Sequence, residues 1–168
     1  SISEKKSGEN NVYSVKKHSN KEIQNYKDLF LKKYSEELGE KTNILFGVKD
    51  IFIGDFFQNK KKLLLVSSLK FNQKNDCYTL SLFYSEILNE KKIELSDWTE
   101  IFSSSPCLNI NLTEPKFAAA SAGGRIFKYD NENILLTIGD FYSDDVHGPA
   151  LSQDLSQDYG KIIKIKLS

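Results

Sequence analysis

Residues 123–167 read GGRIFKYDNENILLTIGDFYSDDVHGPALSQDLSQDYGKIIKIKL, and this stretch decides the fold. Residues 125–129 and 134–138 are short apolar and aromatic runs on either side of Asp130-Asn131-Glu132-Asn133, which reads as a hairpin. An acidic loop follows, and residues 160–167 then alternate Ile162, Ile163, Ile165 and Leu167 with Lys161, Lys164 and Lys166, a pattern suited to an exposed or edge strand.

Upstream, the same grammar repeats. Residues 43–48 and 51–57 are short β-branched and aromatic runs separated by Lys49-Asp50, and residues 62–71 form a longer strand with Leu63 to Val66 apolar throughout. A polar turn at 72–76 leads into a return strand over 77–88, and 98–103 adds a further short one. Residues 103–120 read as loop. Ahead of the strands, residues 19–38 carry the one helix pattern. Ser19 and Glu22 have capping-box spacing, Ile23, Tyr26, Leu29, Phe30, Tyr34 and Leu38 recur at helical intervals, and Gly39 ends the run. Residues 1–19 are polar and read as a linker or frayed strand, with His18 solvated.

The expected fold is therefore all-β, antiparallel meanders of a partial β-propeller preceded by an amphipathic helix. Residues 1–41 form the linker and helix, and 42–168 the blades. At about 40 to 50 residues per blade the second part makes about three blades, while closure needs at least about four, so the remaining blades are expected outside this chain.

Composition narrows the partners. Lysine plus arginine equal aspartate plus glutamate at 23 each, so no net field draws the chain to nucleic acid or to an anionic membrane surface. No apolar run approaches the roughly 20 residues of a membrane span, and the polar N-terminus has no signal-peptide core. The chain contains no Met, so it is expected to be processed or excerpted from something longer. Cys77 and Cys107 would pair in an exported protein and remain buried thiols in a cytosolic one, and two Cys without neighbouring ligands make a poor zinc site.

Four pieces carry a resemblance: Gly123-Gly124-Arg125, Leu136-Thr137-Ile138-Gly139-Asp140, Gln153-Asp154-Leu155-Ser156, and Gly160-Lys161-Ile162-Ile163-Lys164-Ile165. In this order and spacing they resemble the glucose/sorbosone dehydrogenase family. These are exported six-bladed propellers, several of which oxidise sugars with pyrroloquinoline quinone and calcium. The resemblance implies a periplasmic or extracellular protein, a sugar or alcohol ligand and hydride transfer to the quinone. In catalytic members a histidine stands four residues before the Arg of this motif. Here that position is Ser121, and a serine hydroxyl is not a base near neutral pH without a partner to take its proton. Catalytic members also draw cofactor ligands from blades beyond the last strand of this chain. The different-class alternative is a non-catalytic propeller that binds or scaffolds.

Two groups of residues are candidates for chemistry. Arg125, the sole arginine, follows Gly123 and Gly124, and reads either as a ligand or cofactor contact, together with Ser121 and Gly124, or as an ion pair between blades. In the acidic loop, Asp140, Asp144 and Asp145 are candidate calcium ligands and His147 is a candidate replacement base, while aspartates are also common turn formers. Trp98 and the run Phe52, Phe56 and Phe57 read either as sugar-stacking surfaces or as core between sheets.

Overall fold

The structure, a computed structural model, describes residues 5–6, 9–10, 21–38, 47–90, 94–109, 119–141 and 150–167. After a minimal hairpin of β1 (Lys5–Lys6) and β2 (Glu9–Asn10), helix α1 (Lys21–Leu38) precedes the β region. The spacing of its apolar residues puts Phe30 and Tyr34 on one buried face. Both rings meet Phe71 edge-on, at 5.5 and 5.9 Å between centroids. The Tyr34 hydroxyl donates to Asp76 and Lys33 pairs with the same carboxylate at 2.7 Å, which fixes the helix to the tip of a hairpin.

The first sheet is an antiparallel meander of β3 (Val48–Phe56), β4 (Lys61–Asn72) and β5 (Cys77–Asn89). Asn72 Oδ1 accepts the backbone N–H groups of Lys74 and Asn75 and shapes the turn between β4 and β5. Along its other edge β5 takes three short strands in turn, β6 (Glu94–Leu95), β7 (Thr99–Ser103) and β8 (Leu108–Asn109). The second sheet is β9 (Gly123–Lys128), β10 (Asn133–Ile138) and β11 (Lys161–Lys166), also antiparallel. Asp130 Oδ1 accepts the N–H groups of Glu132 and Asn133 and makes the hairpin turn read from the sequence.

The predominance of antiparallel strands and, among the described residues, the single α-helix agree with the sequence reading, while two details differ. Contrary to the sequence reading of 43–48 and 51–57, Lys49-Asp50 do not separate two strands. Those two residues lie inside β3, where the register shifts between Val48 and Asp50, and 43–46 fall outside the described residues. The bulge re-aims Asp50 toward the second sheet. The described β region after the helix also forms two sheets, neither closed, where the spacing suggests about three. The short runs after 90 return to the edge of β5 instead of opening a new meander, because β5 at 13 residues is long enough to pair with all of them.

The two sheets face one another across one core. Leu63, Leu65, Leu69, Leu80, Leu82 and Phe56 from the first meet Ile126, Ile134, Leu136 and Ile138 from the second, and the helix residues Phe30 and Tyr34 belong to the same cluster. Phe52 packs against this core, and Trp98 packs on Val66 and Phe83 on the opposite face of the first sheet. The packing reading of Phe52, Phe56 and Trp98 therefore replaces the sugar-stacking one: strand alternation turns Phe52 and Phe56 toward the core, and Trp98 covers Val66 and Phe83 on the other face.

Cys77 and Cys107 are joined as a disulfide across 30 residues, beside the pairing of Cys77 with Asn109. Nearby, fully buried Tyr159 donates its hydroxyl to the Pro106 carbonyl and accepts from Ser104 Oγ at 3.2 Å, tying the entry of β11 to the 104–107 corner. Loss of the disulfide in Cys107→Ser is expected to lower unfolding free energy by about 3 kcal/mol, read as a lower denaturant midpoint. Burial pushes the Tyr159 hydroxyl up to about 12 from an ordinary 10.0. The folded state then binds this proton more tightly than the unfolded chain, so the stabilisation is full below the unfolded value and is lost as pH rises toward the folded one. Tyr159→Phe is expected to flatten the alkaline fall in stability over that window, measured by denaturant titration at stepped pH.

Candidate functional site at the seam between the sheets

Three of the four sequence pieces that carry the family resemblance meet at Gly139, and the fourth, residues 153–156, is tied to them through Lys161. The Gly139 N–H donates to the Ala122 carbonyl at 2.9 Å, and its carbonyl accepts the Gly160 N–H at 3.2 Å. A Cβ on Gly139 would overlap the carbonyl of Ser121, and one on Gly123 would lie 2.7 Å from the Gly139 nitrogen. The lysine of the last piece closes the cluster. Lys161 Nζ donates to the carbonyls of Asp154 and Tyr159, each at 2.9 Å, and binds the 151–154 turn to β11. At Gly139 backbone packs directly on backbone, which a residue without a side chain allows.

From this junction β9 runs along the first sheet. Gly124 has a φ of 98°, a region open to glycine, and a Cβ there would sit 2.5 Å from Lys49 Cβ and 3.1 Å from Ser67 Oγ. The close approach lets buried Ser67 donate to the Gly124 carbonyl at 2.6 Å. One residue pair further, the Ile126 N–H donates to Asp50 Oδ2 at 2.8 Å. Lys128 then donates to the Asp55 carbonyl, and the Phe57 N–H to the Asn131 carbonyl at 2.6 Å. These contacts advance in the same direction on both chains, so β3 and β9 run parallel across the seam.

Arg125 points outward from it. Its side chain is 68% exposed and its Nε lies 3.9 Å from the same Asp50 oxygen, so the pair is a loose one spanning the two sheets. Of the two readings of this residue, the described contact is the inter-sheet ion pair, and it leaves most of the guanidinium facing solvent. Beside it, burial holds the Lys49 ammonium below its usual range. Ser121 occupies a one-turn 3-10 helix (Ala119–Ser121) with its carbonyl against Gly139, so its backbone is structural.

The acidic loop divides. Asp154 accepts from Ser156 N–H and Oγ and from Gln157 Nε2, and these hydrogen bonds, led by the Ser156 hydroxyl, hold its carboxyl below the usual range. Asp158 Oδ2 accepts the Ser105 N–H at 2.7 Å. Both aspartates are thus turn and anchor residues. Asp140 lies beside Gly160, while Asp144, Asp145 and His147 lie outside the described residues. Among the described residues no three His, Cys, Asp or Glu side chains converge on a common point. No step is assigned through calcium or a quinone.

Sequence reasoning missed Asp50, Ser67 and Lys49. Asp50 looked like a separator between strands, and Ser67 like an ordinary strand serine; both matter only because a second sheet lies across from them.

Comparison with protein-family models, with curated proteins and with solved structures finds no match to this chain. Among the described residues no helix is long and apolar enough to cross a membrane.

The seam separates two kinds of substitution. Gly139→Ala is expected to destabilise by about 3 kcal/mol or more, because the new methyl meets rigid backbone. Arg125→Ala is expected to change stability by under about 1 kcal/mol, as for an exposed, loosely paired ion. Thermal unfolding of the two variants beside the parent chain checks both.

Proposed function

We propose that residues 42–168 are consecutive blades of a sugar-dehydrogenase-like β-propeller, completed by blades outside this chain, and that the module binds a small ligand such as a sugar or alcohol without oxidising it. The observation that carries this reading is the parallel course of β3 and β9. Each opens an antiparallel meander, and the two lie side by side, the relation of the innermost strands of neighbouring propeller blades. The meeting of the Gly123, Gly139 and Gly160 pieces supports the same architecture. Arg125, exposed beside Gly124 at the head of β9, is the cation such a module would present to a ligand.

The non-catalytic form is favoured over the oxidoreductase by Ser121, which stands where the resemblance calls for a histidine base. In the oxidoreductase form, His147 or a residue from another blade would take the hydroxyl proton while pyrroloquinoline quinone accepted the hydride, with calcium held by Asp140, Asp144 and Asp145. Export to the periplasm or beyond is part of the proposal and is supported by the Cys77–Cys107 disulfide, since such bonds persist in oxidising compartments.

The test is the full-length protein supplied with the quinone and Ca²⁺ and assayed with a dye acceptor over a panel of aldoses and alcohols, beside calorimetry on the same panel. Saturable binding without dye reduction is the expected result. Sugar-dependent reduction that disappears in His147→Ala would replace the binding reading with the oxidoreductase.

A further inference from the structure

The second sheet ends on β11, and among the described residues no strand pairs with the far side of that strand. The first sheet is built differently, since the corresponding edge of its third strand, β5, carries β6, β7 and β8.

Strand geometry says which groups are left over. The Leu167 N–H donates to the Glu132 carbonyl at 2.7 Å, and Ile165 and Ile163 lie opposite Ile134 and Leu136. Backbone groups alternate sides along a strand, so the N–H and C=O of Ile162, Lys164 and Lys166 point away from β10. Side chains alternate between the two faces as well. Ile163 and Ile165 turn to the core, while Ile162, 67% exposed, lines the outer face with Lys164 and Lys166. Both lysines are loosely held. Lys164 Nζ lies over the Tyr129 ring, 4.7 Å from its centroid, and Lys166 Nζ is 3.8 Å from Glu132.

We infer that this edge takes up an extended acidic segment of another polypeptide as a fourth, antiparallel strand. Ile162, Lys164 and Lys166 each offer it one donor and one acceptor, the main-chain ladder by which a strand adds to a sheet. Side chains of the incoming strand directly opposite Lys164 and Lys166 are favoured as carboxylates, and those opposite Ile163 and Ile165 as apolar groups that extend the core. The same lysines select against a second copy of this chain, since two β11 edges would set like charges side by side. β11 is the strand of its sheet farthest from β9, so blades stacked on the faces of the sheet would leave its edge free. The inference therefore goes beyond the proposed function and is tested separately from it.

The experiment is amide hydrogen exchange on the ¹⁵N-labelled 168-residue chain, read at Ile162, Lys164 and Lys166. The probe is a capped peptide of sequence SEVEVVS, whose glutamates fall opposite Lys166 and Lys164 in the antiparallel register. Its controls are the lysine counterpart SKVKVVS and a form of the probe N-methylated at both glutamates, which removes the donors facing β11. The three amides are expected to exchange freely in the chain alone and about tenfold more slowly at a probe concentration about ten times its Kd. The lysine peptide is expected to bind about tenfold more weakly, and the N-methylated one to give no protection. The double variant Lys164→Glu with Lys166→Glu alters exposed side chains alone, so it is expected to keep its melting temperature and to reverse the preference between the two charged peptides. The inference is overturned by slow exchange of the three amides in the chain alone, by absent protection at saturating probe, by undiminished binding of the N-methylated peptide, or by an unreversed preference in the folded double variant.

Discussion

Close approach of backbone to backbone at the head of β9 is the constraint on which the arrangement depends. Gly124 against Lys49 and Ser67 lets the second sheet lie down on the first at this end, and Gly139 against Ser121 seats the turn before β9 on the end of β10 within the second sheet. A side chain at Gly124 would hold the sheets apart there, and one at Gly139 would push the turn before β9 off the end of β10. The hydrogen bonds from Ser67 and to Asp50 then fix the register of one sheet on the other, because each satisfies a backbone group of β9 that no strand of the first sheet pairs.

Magnitudes rank the contributions. Each fully buried Ile or Leu at the interface contributes about 1.5–3 kcal/mol, and each intersheet hydrogen bond about 1 kcal/mol net. An exposed ion pair such as Arg125 with Asp50 contributes under about 1 kcal/mol. Apolar burial therefore holds the sheets together, while the polar contacts decide where they sit. The same division operates at the 104–107 corner, where the disulfide limits the unfolded chain and the Tyr159 hydroxyl selects one docking of β11.

The aspartates illustrate how one residue type takes different tasks. Asp130 and Asp154 shape turns through their own neighbours, a role legible from local spacing. Asp50, Asp76 and Asp158 each reach across to another element, and nothing within a few residues announces it. The same holds for the aromatic run. Phe52 and Phe56 follow strand alternation to the core, whereas Phe57, one position beyond the strand, reaches the same core from a positive φ.

By itself the sequence determined the helix, the hairpin around Asp130, the β4–β5 return, the lysine-rich last strand and the antiparallel character of the whole. These follow from periodicity and turn chemistry acting over fewer than about ten residues. The tertiary structure alone decided that β3 is one bulged strand, that the strands after 90 return to β5, that Cys77 meets Cys107 and that β3 and β9 run parallel across a seam. Each of these joins residues distant along the chain. Their pairing is set by which surfaces exclude water together and which backbone groups remain to be satisfied, and a local pattern of side chains specifies neither.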